Sequence, residues 1–123
     1  MTILVVDDDS IIRDTVGLLL TDLGHCVEQA SDGLEALCCL DRALPDLVLS
    51  DIQMPNMEGL ELLRIIHRRY PKLPVVMMTG HSTFETVVGA LRAHAFDYLK
   101  KPIQFADLQA CLERVETERL REE

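Results

Sequence analysis

The chain contains no tryptophan, only two tyrosines and three phenylalanines. A surface that stacks nucleic-acid bases needs more aromatic side chains than that. Positive charge is also scarce, with 12 Lys and Arg against 21 Asp and Glu and a net charge of −9. Phosphate backbones and anionic membrane surfaces would be repelled, so any route to DNA would need a further domain. No apolar run approaches the roughly 18 residues of a membrane span, and there is no N-terminal signal pattern. That points to a soluble, cytoplasmic chain. Cys26, Cys38, Cys39 and Cys111 include no Cys-x-x-Cys pair, which disfavours a zinc site or a disulfide framework. Reduced core thiols are expected instead. Neither Gly-x-Gly-x-x-Gly nor the Walker spacing occurs, so a nucleotide-binding fold is disfavoured as well.

What the chain has is apolar patterning. At 123 residues and 48% hydrophobic it suits one domain with a substantial core. Continuous apolar runs at Ile3–Val6, Leu47–Leu49 and Val75–Met78 read as strands covered on both faces. Cys26–Ala30 and Phe96–Leu99 are shorter, admit Glu28, Gln29 and Asp97, and read as edge strands. Helical spacing fills the intervals. Ile12, Val16, Leu19, Leu20 and Leu23 share a stripe that Gly24 ends. Asp32 and Glu35 form a capping box ahead of Ala36, Leu37 and Leu40. A third helix around Glu58–Arg69 buries Leu60 and Leu63 and stops before Pro71. Ser82 and Glu85 open a fourth helix with Val88 and Leu91 inside, and a fifth carries Phe105, Leu108, Leu112 and Val115 on one face. Five βα units with right-handed crossovers predict an α/β, doubly wound, five-stranded parallel sheet. With the second and fifth strands at the edges, the order is 2-1-3-4-5. Residues 1–115 form this domain. Residues 116–123, "ETERLREE", read as a charged helical extension leading toward a linker.

In such sheets ligands bind beyond the carboxyl ends of the strands, where the strand order reverses. The stretch "ILVVDDDS" delivers Asp7, Asp8 and Asp9 there. The third strand delivers Asp51, the fourth Thr79, and the fifth Lys100 and Lys101 before Pro102. Two carboxylates about 4 Å apart repel by roughly 4 kcal/mol at an effective dielectric near 20, so three need a proton or a cation. Oxygen clusters of this kind suit Mg²⁺. A lysine suits a phosphoryl group, a threonine hydroxyl can donate to one, and an aspartate can act as the nucleophile. The set describes a phosphoryl-transfer site without a nucleotide pocket. Some members have plainer roles. Asp9 reads as the N-cap of the first helix, and Lys100 as a solvent-facing neighbour of Lys101. Asp51 ends a buried strand and needs a partner.

Taken in order, "LVVDDD", "ASDGLEAL", "PDLVLSDIQMPNMEGLELL", "PVVMMTG" and "AFDYLKKP" resemble the receiver domain of bacterial two-component response regulators, over about Thr2 to Val115. The resemblance implies a flavodoxin-like fold in a signalling domain that is not an enzyme in the usual sense. It catalyses only its own phosphorylation and slow dephosphorylation. It also implies that Asp51 is the phosphoacceptor. Asp8, Asp51 and the Gln53 carbonyl would bind Mg²⁺ directly, with Asp7 acting through water. Lys101, whose bond to Pro102 is often cis in this family, would pair with the phosphoryl group. Thr79 and Tyr98 would act as the switch. Gln53 and His81 would tune the lifetime of the modified state. The implied donor is a phosphohistidine on a sensor histidine kinase. The implied output is the surface of the fourth helix, fifth strand and fifth helix, through which a homodimer could form.

"MTGHSTFETVVGALRAHAFDYLKKPI" is most similar to receivers of enhancer-binding and nitrogen-fixation regulators, which carry DNA-binding or ATPase domains downstream. A charged helix that closes without a cap then points to a domain excised from a longer regulator. His94 stands where many relatives have Gly, and a left-handed stop there would cost a non-Gly residue about 1 kcal/mol. A haloacid dehalogenase-type phosphatase is a rival, with Asp7-x-Asp9, Thr79 and Lys101 in order. It lacks the acidic pair after the lysine, since only Asp107 follows before the charged tail, and it leaves Asp51 unexplained. A second rival is a pseudo-receiver that binds without taking phosphate, although this chain retains every acidic, hydroxyl and lysine position.

Overall fold

The computed structural model describes residues 1–80 and 83–122. Five strands alternate with five helices: β1 (Thr2–Val6), α1 (Ser10–Asp22), β2 (Cys26–Ala30), α2 (Gly33–Arg42), β3 (Leu47–Asp51), α3 (Gly59–Arg69), β4 (Val75–Thr79), α4 (Phe84–Arg92), β5 (Asp97–Lys100) and α5 (Phe105–Glu122). The strands pair in parallel in the order β2-β1-β3-β4-β5, as the sequence predicts. Side-chain alternation divides the core between the two faces. Ile3, Val5, Leu47 and Leu49 pack with Val16 and Leu20 of α1 and with Leu108, Cys111, Leu112 and Val115 of α5. Leu4, Val6 and Val48 pack on the other face with Ala36 and Leu40 of α2, Leu62, Leu63 and Ile66 of α3, and Ala90 of α4. Edge strand β2 stays mostly exposed along Cys26, Glu28 and Gln29.

Helix ends follow local chemistry. Asp9 caps α1 through its side chain, and Asp32 caps α2. The return half of the Asp32–Glu35 box goes elsewhere: Glu35 accepts from the Ser31 hydroxyl and backbone N–H. Ser82 lies outside the described residues, and the box at the start of α4 is formed by Thr83 and Thr86. Two helices end in the same six-residue wrap. After α1, Gly24 sits at φ 92 and His25 N–H donates to Leu20 O. After α4, His94 takes the glycine-like place at φ 69, and Ala95 N–H donates to Ala90 O. The left-handed turn therefore forms despite the Cβ. The His94 ring stacks on His67 with centroids 4.1 Å apart, a contact that offsets part of its backbone cost.

Several side chains depart from the sequence expectation. Leu91 is 62% exposed, because α4 buries Ala90 and one residue further along a helix points about 100° away. Phe105 is the first residue of α5 and is 47% exposed, with burial beginning one turn later at Leu108. Leu60 is half-buried, and Leu62 and Ile66 join Leu63 in its place. Strand β5 begins at Asp97 rather than Phe96. All four cysteines are free, but only Cys39 and Cys111 are core residues. Cys26 lies on the edge strand and Cys38 on the outer side of α2. Helix α5 runs unbroken through residue 116 to Glu122.

This distribution makes a paired prediction. Leu108→Ala should cost about 3 kcal/mol in denaturant unfolding. Leu91→Ala should stay within about 0.5 kcal/mol of the parent.

Candidate functional site

The sheet order brings the carboxyl ends of β1, β3, β4 and β5 side by side. Asp7 follows β1, Asp51 and Thr79 end β3 and β4, and Lys101 follows β5. Among these, Asp7 is fully buried, Asp51 is 7% exposed and Thr79 is 2% exposed. Asp8 is exposed and completes the cluster: one oxygen from each of Asp7, Asp8 and Asp51 lies within 4.8 Å of the others. Lys101 Nζ reaches Asp7 Oδ2 at 2.7 Å and Asp51 Oδ2 at 3.2 Å. Its backbone N–H donates to Thr79 O at 2.7 Å, which fixes the loop after β5 to the end of β4. The Lys101–Pro102 peptide bond is cis.

Burial pushes the Asp51 carboxyl above its ordinary range, and repulsion from Asp7 adds to the shift. Lys101 and the Gln53 N–H pull it back without cancelling the rise. For Lys101, burial favours the neutral amine, but its contacts with Asp7 and Asp51 win and raise its pKa. The ammonium is the internal counter-charge of the cluster. Three hard-oxygen carboxylates beside a backbone loop also suit a divalent cation.

Asp9 stands apart as expected, accepting from Ile11 and Ile12 N–H at the start of α1. Its own N–H donates to Asp7 Oδ1 at 2.9 Å. Lys100 is exposed, as the sequence predicts for the neighbour of Lys101. Gln53 is exposed in the loop after β3. Tyr98 is half-buried against the α2-α3-α4 side of the core, and its buried hydroxyl has no hydrogen-bond partner among the described residues. His81 lies outside the described residues.

Two supporting residues were not found from sequence. Arg13 Nη1 donates to the Asp7 carbonyl at 2.6 Å, which anchors the turn that presents Asp8. A cation in the first turn of a helix opposes the helix dipole, and that oddity was the available signal. Gly59 is the other. A Cβ there would fall 2.1 Å from Asp51 O, while its N–H donates to Ile52 O at 2.7 Å.

Residues 3–113 match the family described as the response regulator receiver domain. The chain belongs to that family. This receiver domain is 46% identical over 116 residues to the DNA-binding transcriptional regulator NtrC of Proteus hauseri, covering 92% of this chain and 24% of that protein. It thus spans about a quarter of the length of the curated relatives it matches. The receiver domain of NtrX from Brucella abortus superposes with a TM-score of 0.87 at 42% identity, covering 92% of this chain and 96% of that one. A CheY-like receiver domain protein from Methanospirillum hungatei gives a TM-score of 0.94 at 35% identity, over 99% and 98% of the two chains. The receiver is therefore a two-component signalling domain of the NtrC/NtrX type. Among its described residues no helix is long and apolar enough to cross a membrane.

The raised Asp51 pKa makes a signed prediction. Its proton-bound form favours the fold below the ordinary value of 3.8, and that contribution is lost as pH rises through the raised value. Asp51→Asn should therefore be more stable than the parent at pH 7 without divalent ions, by roughly 1 kcal/mol. The gain should disappear as pH falls below 3.8, as denaturant titrations at both pH values would show.

Proposed function

We propose that this receiver domain accepts a phosphoryl group on Asp51 from a phosphohistidine of a sensor histidine kinase. The observation that carries the reading is Lys101 Nζ within 3.2 Å of both Asp7 and Asp51, beside the exposed carboxylate of Asp8. The all-oxygen donor set fits Mg²⁺, held by Asp8, Asp51 and the Gln53 carbonyl, with Asp7 acting through water. When bound, the ion supplies positive charge to the phosphoryl oxygens.

The chain's own residues do the rest. An Asp51 carboxylate oxygen attacks phosphorus, the P–N bond to the donor imidazole breaks, and the electron pair stays on that nitrogen. Lys101 exchanges its contact with Asp51 for one with a phosphoryl oxygen, so catalysis is positioning and electrostatics. Thr79 donates its hydroxyl to another phosphoryl oxygen, and Tyr98 moves inward behind it. The buried Tyr98 hydroxyl, unpartnered among the described residues, supports a role for that ring behind Thr79. Gln53 and His81 set how fast water removes the group, so self-phosphorylation and slow self-dephosphorylation are the only chemistry. The more negative, acceptor-rich Asp51 then shifts the population of the α4-β5-α5 surface. Exposed Leu91 on α4 gives that surface an apolar group for a homodimer or a downstream domain. An apolar hollow lined by Ile11, Ile12, Leu19, Pro102 and Ile103 opens beside Lys101 and supports docking of the donor there. The names of the relatives support an output in transcription, with DNA contacted by another domain, and a cytoplasmic location goes with that reading.

Intact mass after incubation with acetyl phosphate tests the proposal. One phosphoryl group should appear with Mg²⁺, be absent without it, and be absent in Asp51→Asn. Lys101→Met should slow labelling on the order of 100-fold. Label retained in Asp51→Asn, or an unlabelled parent that a purified kinase also fails to label, would refute it.

A further inference from the structure

The loop of residues 52–58 leads from Asp51 to α3 and carries Gln53. Its course is pinned at three places. At its end, Gly59 N–H closes on Ile52 O at 2.7 Å. Two residues earlier, Met57 lies against Gly33, where a Cβ would meet Met57 Cβ and Sδ at 2.9 Å. One residue before that, Asn56 Nδ2 donates to Asp32 Oδ2 at 3.1 Å across 24 residues of sequence. Asn56 does so from a left-handed backbone at φ 69, a conformation Asn tolerates better than most residues.

Asp32 divides its carboxylate between two tasks. Oδ1 accepts from Glu35 N–H at 2.8 Å and caps α2, which leaves Oδ2 for Asn56. Both bonds favour the charged form, the Glu35 N–H first, and hold the carboxyl below its ordinary range. The acceptor that Asn56 meets is thus an anion, which makes the bond stronger than a neutral pair. Its other end is the first turn of α2, whose Ala36, Cys39 and Leu40 are anchored in the core.

We infer that the Asp32–Asn56 bond is a positioning link that sets how tightly the acidic cluster and the Gln53 carbonyl hold a divalent cation. Neither residue touches the ion or the reacting atoms. They fix the loop that supplies one ligand from further away than a partner bonded to the ligand itself, whose loss typically weakens metal binding by about 10- to 100-fold, so the lower end of that range applies. The inference rests on Gln53 being a ligand as proposed above.

Two substitutions remove the link and little else. Asp32→Ser keeps a hydroxyl cap for α2 and loses the second oxygen. Asn56→Gly keeps the positive φ and loses the amide. Calorimetric titration with Mg²⁺ alone should show each variant binding about tenfold more weakly than the parent. The double variant should be no weaker than either single one, because both remove the same bond. Labelling by acetyl phosphate at saturating Mg²⁺ should keep the parent rate, with only the Mg²⁺ requirement shifted. If Asp32→Ser loses its helix, seen by circular dichroism, Asn56→Gly decides alone. Parent-like Mg²⁺ affinity in Asn56→Gly overturns the inference, as does a double variant whose losses add. A parent chain that binds no Mg²⁺ overturns the ligand assignment itself, and the inference with it.

Discussion

Lys101 carries the positive charge that lets Asp7 and Asp51 share the carboxyl end of the sheet. Two carboxylates this close repel by several kcal/mol, and both are almost closed to water. Without a cation in reach, one of them would have to hold a proton. The ammonium reaches both carboxylates, and its backbone N–H is tied to Thr79 O, so its position is set by the sheet. Removing the lysine would leave two buried carboxylates without a counter-charge, a loss that typically costs about 3–5 kcal/mol. The same arrangement suits an incoming anion, since a cation already stands at the rim of the cluster beside Asp51 Oδ2.

The fold serves that contact. Parallel pairing places four strand ends in a row, and helices on both faces bury the strands well enough to hold those ends still. Small details then fix the carboxylates themselves. Arg13 and the Asp9 N–H hold Asp7 from the α1 side, and Gly59 lets the start of α3 approach the Asp51 backbone. Tyr98 stands half-buried on the neighbouring edge strand, paired in register with Met77, two residues before Thr79. Asp51 and the edge strand β5 therefore have only β4 between them.

Much of this was legible from residues alone. Three strands buried on both faces read as unbroken apolar runs, and the polar edge strands read as edges. That order, with right-handed crossovers, brings Asp7, Asp8, Asp51, Thr79 and Lys101 together from sequence alone. What escaped depends on three-dimensional closeness or on where a helix meets the sheet. Periodicity gives the spacing of an apolar stripe but not its boundary, so Leu91 and Phe105 were placed inside while Ala90 and Cys111 fill the core. Ser82 and Thr83 offer equivalent hydroxyls, and local sequence cannot choose between adjacent caps. Gly59 depends on the close return of α3 onto the end of β3, and the Asp32–Asn56 pair on two loops 24 residues apart meeting in space. The backbone demand at His94 is visible in the sequence, but the stack on His67 that accompanies the turn depends on the packing of α3 beside the end of α4.

The most direct test of the charge balance is a carbon-13 NMR titration of the Asp51 carboxyl without divalent ions, in the parent and in Lys101→Met. The account predicts a midpoint above the ordinary 3.8 in the parent, because burial and Asp7 outweigh Lys101, and a higher one still in the variant. A parent midpoint at or below 3.8, or one that Lys101→Met leaves unmoved, would contradict it.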